Sequence, residues 1–72
     1  MPQCAVIKEN GRTIGYWFDD KNITNDPMMM TVVLTQTNQV DGDGFAALLN
    51  KQYSVKPDKH NGIDGYLVSL KR

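Results

Sequence analysis

The chain has one cysteine, Cys4, one histidine, His60, and one tryptophan, Trp17. A single thiol excludes an internal disulfide and any metal site built on several cysteines. It suits a reducing compartment. Charge of one sign is also missing: eight basic residues balance eight acidic ones. A neutral chain lacks the electrostatic footprint of a nucleic-acid binder. No apolar run approaches the ~20 residues of a membrane span, and the first residues lack the basic, then apolar, pattern of a signal peptide. The expected setting is cytoplasmic, with no membrane association. There is no internal repeat and no low-complexity segment.

What is present is a folded composition, 40% hydrophobic and 22% charged in 72 residues. That length allows one domain, spanning 1–72. So small a domain buries only about 60% of the surface its unfolded chain exposes. Pairing of two copies would add to its core, so a homodimer is one expected state. Charge is unevenly spread. Residues 1–50 hold Lys8, Arg12 and Lys21 against Glu9, Asp19, Asp20, Asp26, Asp41 and Asp43, a net of −3. Residues 51–72 hold Lys51, Lys56, Lys59, Lys71 and Arg72 against Asp58 and Asp64, a net of +3.

The stretch Cys4–Phe18 is two β-rich runs around Asn10-Gly11. Asn-Gly fits a type I′ turn, which needs positive φ at both central residues. A two-residue loop sets Glu9 opposite Arg12, Ile7 opposite Ile14, Ala5 opposite Tyr16 and Cys4 opposite Trp17. Alternation then places Ala5, Ile7, Ile14, Tyr16 and Phe18 on one face, and Cys4, Val6, Lys8, Thr13, Gly15 and Trp17 on the other.

Asp19–Pro27 is dense in turn formers and reads as a polar loop. "MMMTVVLTQT" follows and reads as a third strand centred on Thr31–Leu34, because β-branched residues favour strands. Phe45, Leu48, Leu49, Gln52 and Tyr53 have helical spacing. The run "SVKPDKHNGIDG" reads as a long connection, and "YLVSLKR" as a last, alternating strand. The order β-hairpin, strand, helix, strand predicts an α+β fold: a small four-stranded antiparallel or mixed sheet with one helix on one face.

The stretch "DGDGF" at Asp41–Phe45 has the look of a calcium loop. With Asp43 at position 5 and Gly44 at position 6, position 1 is Gln39 and position 12 is Asn50. Neither supplies the required carboxylate. A helix start is the better reading, with Asp43 as cap, or Asp41 as cap and Asp43 in the first turn. The same glycines lack the Lys and Ser/Thr of a phosphate loop.

Other candidate sites are weaker. His60 lies in a polar run with no fixed partner, and Cys4 lacks an assigned base. Asp19, Asp20 and Asp26 form an acidic loop that reads as solvated. No catalytic constellation emerges, so the expectation is a protein that is not an enzyme.

One helix covers about half of such a sheet. The other face would present Trp17, Val6 and Val33 beside Asp19 and Asp20, an arrangement that fits a protein interface. The expected function is a small protein-binding module, with short regulators and inhibitors of phages and other mobile elements as the general type. The alternative is a nucleic-acid-binding regulator that contacts phosphates through Lys51, Lys56, Lys59, Lys71 and Arg72.

Overall fold

The computed structural model describes residues 4–71. The elements run β1 (Cys4–Glu9), β2 (Arg12–Asp19), α1 (Pro27–Gln36), α2 (Gly42–Leu49), β3 (Tyr53–His60) and β4 (Ile63–Leu70). The strands form one antiparallel sheet in the order β1-β2-β4-β3. The α+β class and the four antiparallel strands match the sequence reading; two helices stand where one was expected.

Each hairpin closes on the same dipeptide. Asn10 and Gly11 have φ of 55° and 77°, and Asn61 and Gly62 have 51° and 81°. These are the left-handed values of a type I′ turn. The second Asn-Gly makes β3 and β4 a hairpin in which His60 pairs Ile63. The run Ser54–Gly65 is therefore strand and turn, not a connection. Its Pro57 and its charges fit because β3 is an edge strand, where a missing N–H breaks no ladder.

The first hairpin departs from the expected register in one place. Glu9 pairs Arg12 and Lys8 pairs Thr13, but Ile7 pairs Gly15, Val6 pairs Tyr16, Ala5 pairs Trp17 and Cys4 pairs Phe18. A β-bulge between Ile7 and Lys8 absorbs Ile14. Because side chains alternate, one extra residue exchanges the faces beyond it. Cys4 and Val6 therefore join Tyr16 and Phe18 beneath the helices, and Ala5 joins Trp17 on the opposite side.

The segment expected as a third strand is α1. Asp26 caps it: its carboxylate accepts from the Met28 N–H at 3.0 Å, and Pro27 holds the first turn. Proline suits that position, where its missing N–H has no intrahelical partner. The threonines, strand formers by propensity, are accommodated by back-bonding. Thr31 Oγ1 donates to Met28 O (2.7 Å), Thr35 Oγ1 to Thr31 O (2.7 Å) and Thr37 Oγ1 to Leu34 O (2.8 Å). Met30 and Leu34, one turn apart, are buried. Burial against the sheet outweighs a weak local preference.

Helix α2 starts at the alternative cap. Asp41, not Asp43, accepts from the Gly44 N–H (2.7 Å), and Asp43 lies in the first turn. Both helices end in a Schellman motif. Gln39 N–H donates to Leu34 O and Asn38 N–H to Thr35 O, while Gln52 N–H donates to Ala47 O and Lys51 N–H to Leu48 O. The left-handed residues are Asn38 and Lys51, both with φ of 58°. Tyr53 therefore opens β3 and does not extend the helix.

The core lies between the helices and one sheet face: Tyr16, Phe18, Met30, Leu34, Leu48 and Val68. Phe45 is 37% exposed; Gly44 and Leu48 are the residues α2 buries.

Candidate functional site

Trp17, Val6 and Val33, expected to share one open face beside Asp19 and Asp20, do not share it. Val6 and Val33 pack against the core on the helical side. For Val6 the bulge is the reason. For Val33 it is the helical conformation of α1. Trp17 is on the other side of the sheet, in a row with Ala5, Leu67 and Lys56. It is only 2% exposed. Its indole N–H donates to Asp58 O (3.4 Å), and the His60 ring lies 5.3 Å from it at 39°. Gly65 makes this packing possible, since a Cβ there would meet the indole carbons at 2.8 Å. Trp17 is thus held under the β3–β4 hairpin and is not a free contact.

Asp19 is nearly buried and works locally. It accepts from the backbone of Lys21 (3.1 Å) and Asn22 (2.9 Å) and from the Asn22 side chain (2.6 Å). Asp20 is exposed.

The lysines of the C-terminal third are spread out. Lys51 follows α2, and Lys56 and Lys59 point from opposite faces of β3. Lys59 pairs with Asp64 at 3.6 Å in a well-exposed contact, worth about 0–1 kcal/mol. Lys71 follows β4, its N–H donating to Gln52 O (2.7 Å), and Arg72 lies outside the described residues.

Cys4 and His60 border the same hollow of ≈ 580 Å³, together with Ala5, Trp17 and Asn61. Cys4 Sγ is 3.3 Å from Thr37 Oγ1. A cysteine nucleophile needs a base and an oriented partner for that base. The described residues lining the hollow include no carboxylate to orient His60. Among the described residues no group of three or more His, Cys, Asp or Glu is arranged to hold a metal ion.

Asp41 has a second role besides capping: it accepts from the Tyr16 hydroxyl at 3.4 Å. Burial pushes the Tyr16 pKa above its ordinary 10.0, and the nearby Asp41 and Asp43 charges add to the rise.

The outer side of the helical layer is the feature the sequence reading missed. Helix α1, "PMMMTVVLTQ", has no charged residue, and Met28 (51% exposed), Met29 (49%) and Val32 project from it. Helix α2 adds Phe45 and Leu49, one turn apart and partly exposed. The signal was available: Asp26-Pro27 is a cap followed by a first-turn proline, and reading 27–36 as a helix puts Met28 and Val32 on one side.

Compared with known protein families, curated proteins and solved structures, the chain finds no match. No helix among the described residues is long and apolar enough to cross a membrane.

Proposed function

We propose that this chain is a small non-enzymatic protein-binding module whose contact surface is the outer face of its helical layer. The observation that carries the reading is the uncharged helix α1 with Met28, Met29 and Val32 turned outward. Leaving apolar surface in water forgoes about 25 cal/mol per Å², so such faces mark contact sites. Methionine suits the role because its flexible thioether adapts to a partner's shape. Phe45 and Leu49 on α2 extend the apolar surface of the same layer. The setting that fits is cytoplasmic, and the general type is a short regulator or inhibitor of phage or mobile-element kind. Self-association through this face is the simplest form of the contact, since a second copy presents the same uncharged surface.

The test is a Met29→Glu/Val32→Glu variant compared with the wild type in sedimentation and in pull-down. Both positions are exposed, so the fold should survive, as circular dichroism would report. The variant should lose self-association or partner capture. Unchanged binding would refute the reading. A salt-sensitive gel shift with DNA or RNA, lost on replacing Lys56 and Lys71, would favour the nucleic-acid alternative instead.

A further inference from the structure

The two edges of the sheet are treated differently. The β3 edge carries Pro57 and the charges Lys56, Asp58 and Lys59. These are the devices that keep another strand from pairing. From Cys4 to Ile7, β1 has neither proline nor charge, and only at its far end do the bulge and Lys8 follow. Two of its outward backbone groups are taken by a single side chain. The Val6 N–H donates to Gln39 Oε1 (2.8 Å), and Gln39 Nε2 donates to Cys4 O (3.0 Å). A side-chain amide offers the same donor and acceptor as a peptide group. Gln39 therefore sits where one peptide unit of a neighbouring strand would sit.

Room exists on either side of that amide. Toward Cys4 lies the ≈ 580 Å³ hollow that also touches Ala5, Trp17 and His60. Toward Lys8 lies a second hollow of ≈ 470 Å³, bordered by Val6, Lys8 and Thr13. Both are walled by Thr37, Asn38 and Gln39. Along the strand edge, the Gln39 side chain is the bridge between two open stretches. Its backbone is fixed independently, because its N–H closes the end of α1 on Leu34 O at 2.9 Å. The side chain can swing out without undoing the helix. Strand alternation makes Lys8 the next residue whose backbone groups face outward.

We infer that the β1 edge is a docking site for an extended peptide segment of another protein, covered by the Gln39 amide until that segment replaces it. The partner's backbone would pair with Cys4, Val6 and Lys8, a span of about 13 Å at ~3.3 Å per residue. Its alternate side chains would enter the two hollows, and the one facing Trp17 and His60 favours an uncharged residue because no charged side chain among the described residues lines that hollow. A second copy of this chain fits the edge less well. It would bring its own Thr37–Asp41 connection to the same seam, where a bare peptide brings none. This site is separate from the helical face proposed above and does not depend on it.

The experiment pans a random octapeptide phage library against the full chain, then takes a recovered peptide in synthetic form. Its binding should shift the Val6 and Lys8 amide signals in NMR spectra and give cross-strand contacts to β1. N-methylation of alternate peptide residues in one phase should abolish binding, and in the other phase leave it. Gln39→Ala should tighten binding about tenfold, because the cover no longer competes. If Gln39→Ala does not fold, Gln39→Asn decides, since the shorter amide cannot bridge both groups. Recovery of no peptide, shifts at Met29 and Val32 instead of β1, equal effects of both methylation phases, or no tightening in a folded variant would each overturn the inference. So would a Gln39 variant that pairs with itself through β1 in the absence of peptide.

Discussion

Gly44 packs directly beneath the hydroxyl end of Tyr16, so closely that a Cβ at residue 44 would occupy the space of the Tyr16 ring tip. This contact joins the first turn of α2 to the middle of β2. It explains why the acidic turn contains a second glycine, whereas Gly42 has open space around it.

Gly44→Ala should therefore cost roughly 1–3 kcal/mol, the usual penalty of overpacking. Urea unfolding measures it. Gly42→Ala serves as the control and should change stability far less. Tyr16→Phe should recover part of the loss in the double variant, because it removes the nearest atom. Strict additivity of the two changes would contradict a direct contact.

Asp41 and Asp43 should separate cleanly. Asp41→Ala removes the cap on Gly44 N–H and the acceptor of the Tyr16 hydroxyl, and should lower stability by about 1–2 kcal/mol. Asp43→Ala removes only a first-turn charge near the helix N-terminus, worth about 0.3–1 kcal/mol. Thermal unfolding of the two variants should rank them in that order.

Alkaline pH should destabilise the fold through Tyr16. Its folded pKa is raised above the ordinary 10.0, so the native state holds a proton that the unfolded chain releases first. That contribution is fully present below pH 10 and is lost as pH rises from 10 toward the folded value. Tyr16→Phe should flatten the fall in stability above pH 10. An equally steep fall in the variant would assign the effect elsewhere.

Lys51 carries a left-handed backbone, φ 58°, at the end of α2. An L-residue there sacrifices about 1 kcal/mol relative to glycine. Lys51→Gly should raise the unfolding midpoint by a few degrees. A drop in midpoint would show that the lysine side chain contributes more than its backbone costs.

The hairpin at Asn10-Gly11 was legible because its turn is chemically determined by two residues. Asn61-Gly62 carries the same signal, yet Pro57 and the charges around it argued for a loop. They belong to an edge strand, and being at an edge is a property of the sheet, not of the segment. The bulge at Ile7 was not legible, since nothing local distinguishes a regular pairing from one that absorbs Ile14. Its effect is large: it moved Val6 to the core side and separated it from Trp17. Gln39, central to the β1 edge, gave no sequence signal, because its partners Cys4 and Val6 are far away along the chain.

The sequence alone determined the α+β class, one hairpin, the helix start at the acidic turn, and the lack of a disulfide within these 72 residues. Each follows from short-range chemistry, namely turn dihedrals, capping and composition. Only the tertiary structure decided that "MMMTVVLTQ" is helical, that Trp17 is buried under a hairpin, and which apolar residues remain outside. Those outcomes depend on what each segment packs against. A stretch of methionine, threonine and valine can bury one side as a strand or as a helix, and the Asp26 cap, the Pro27 first turn and the sheet beneath Met30 and Leu34 select the helix.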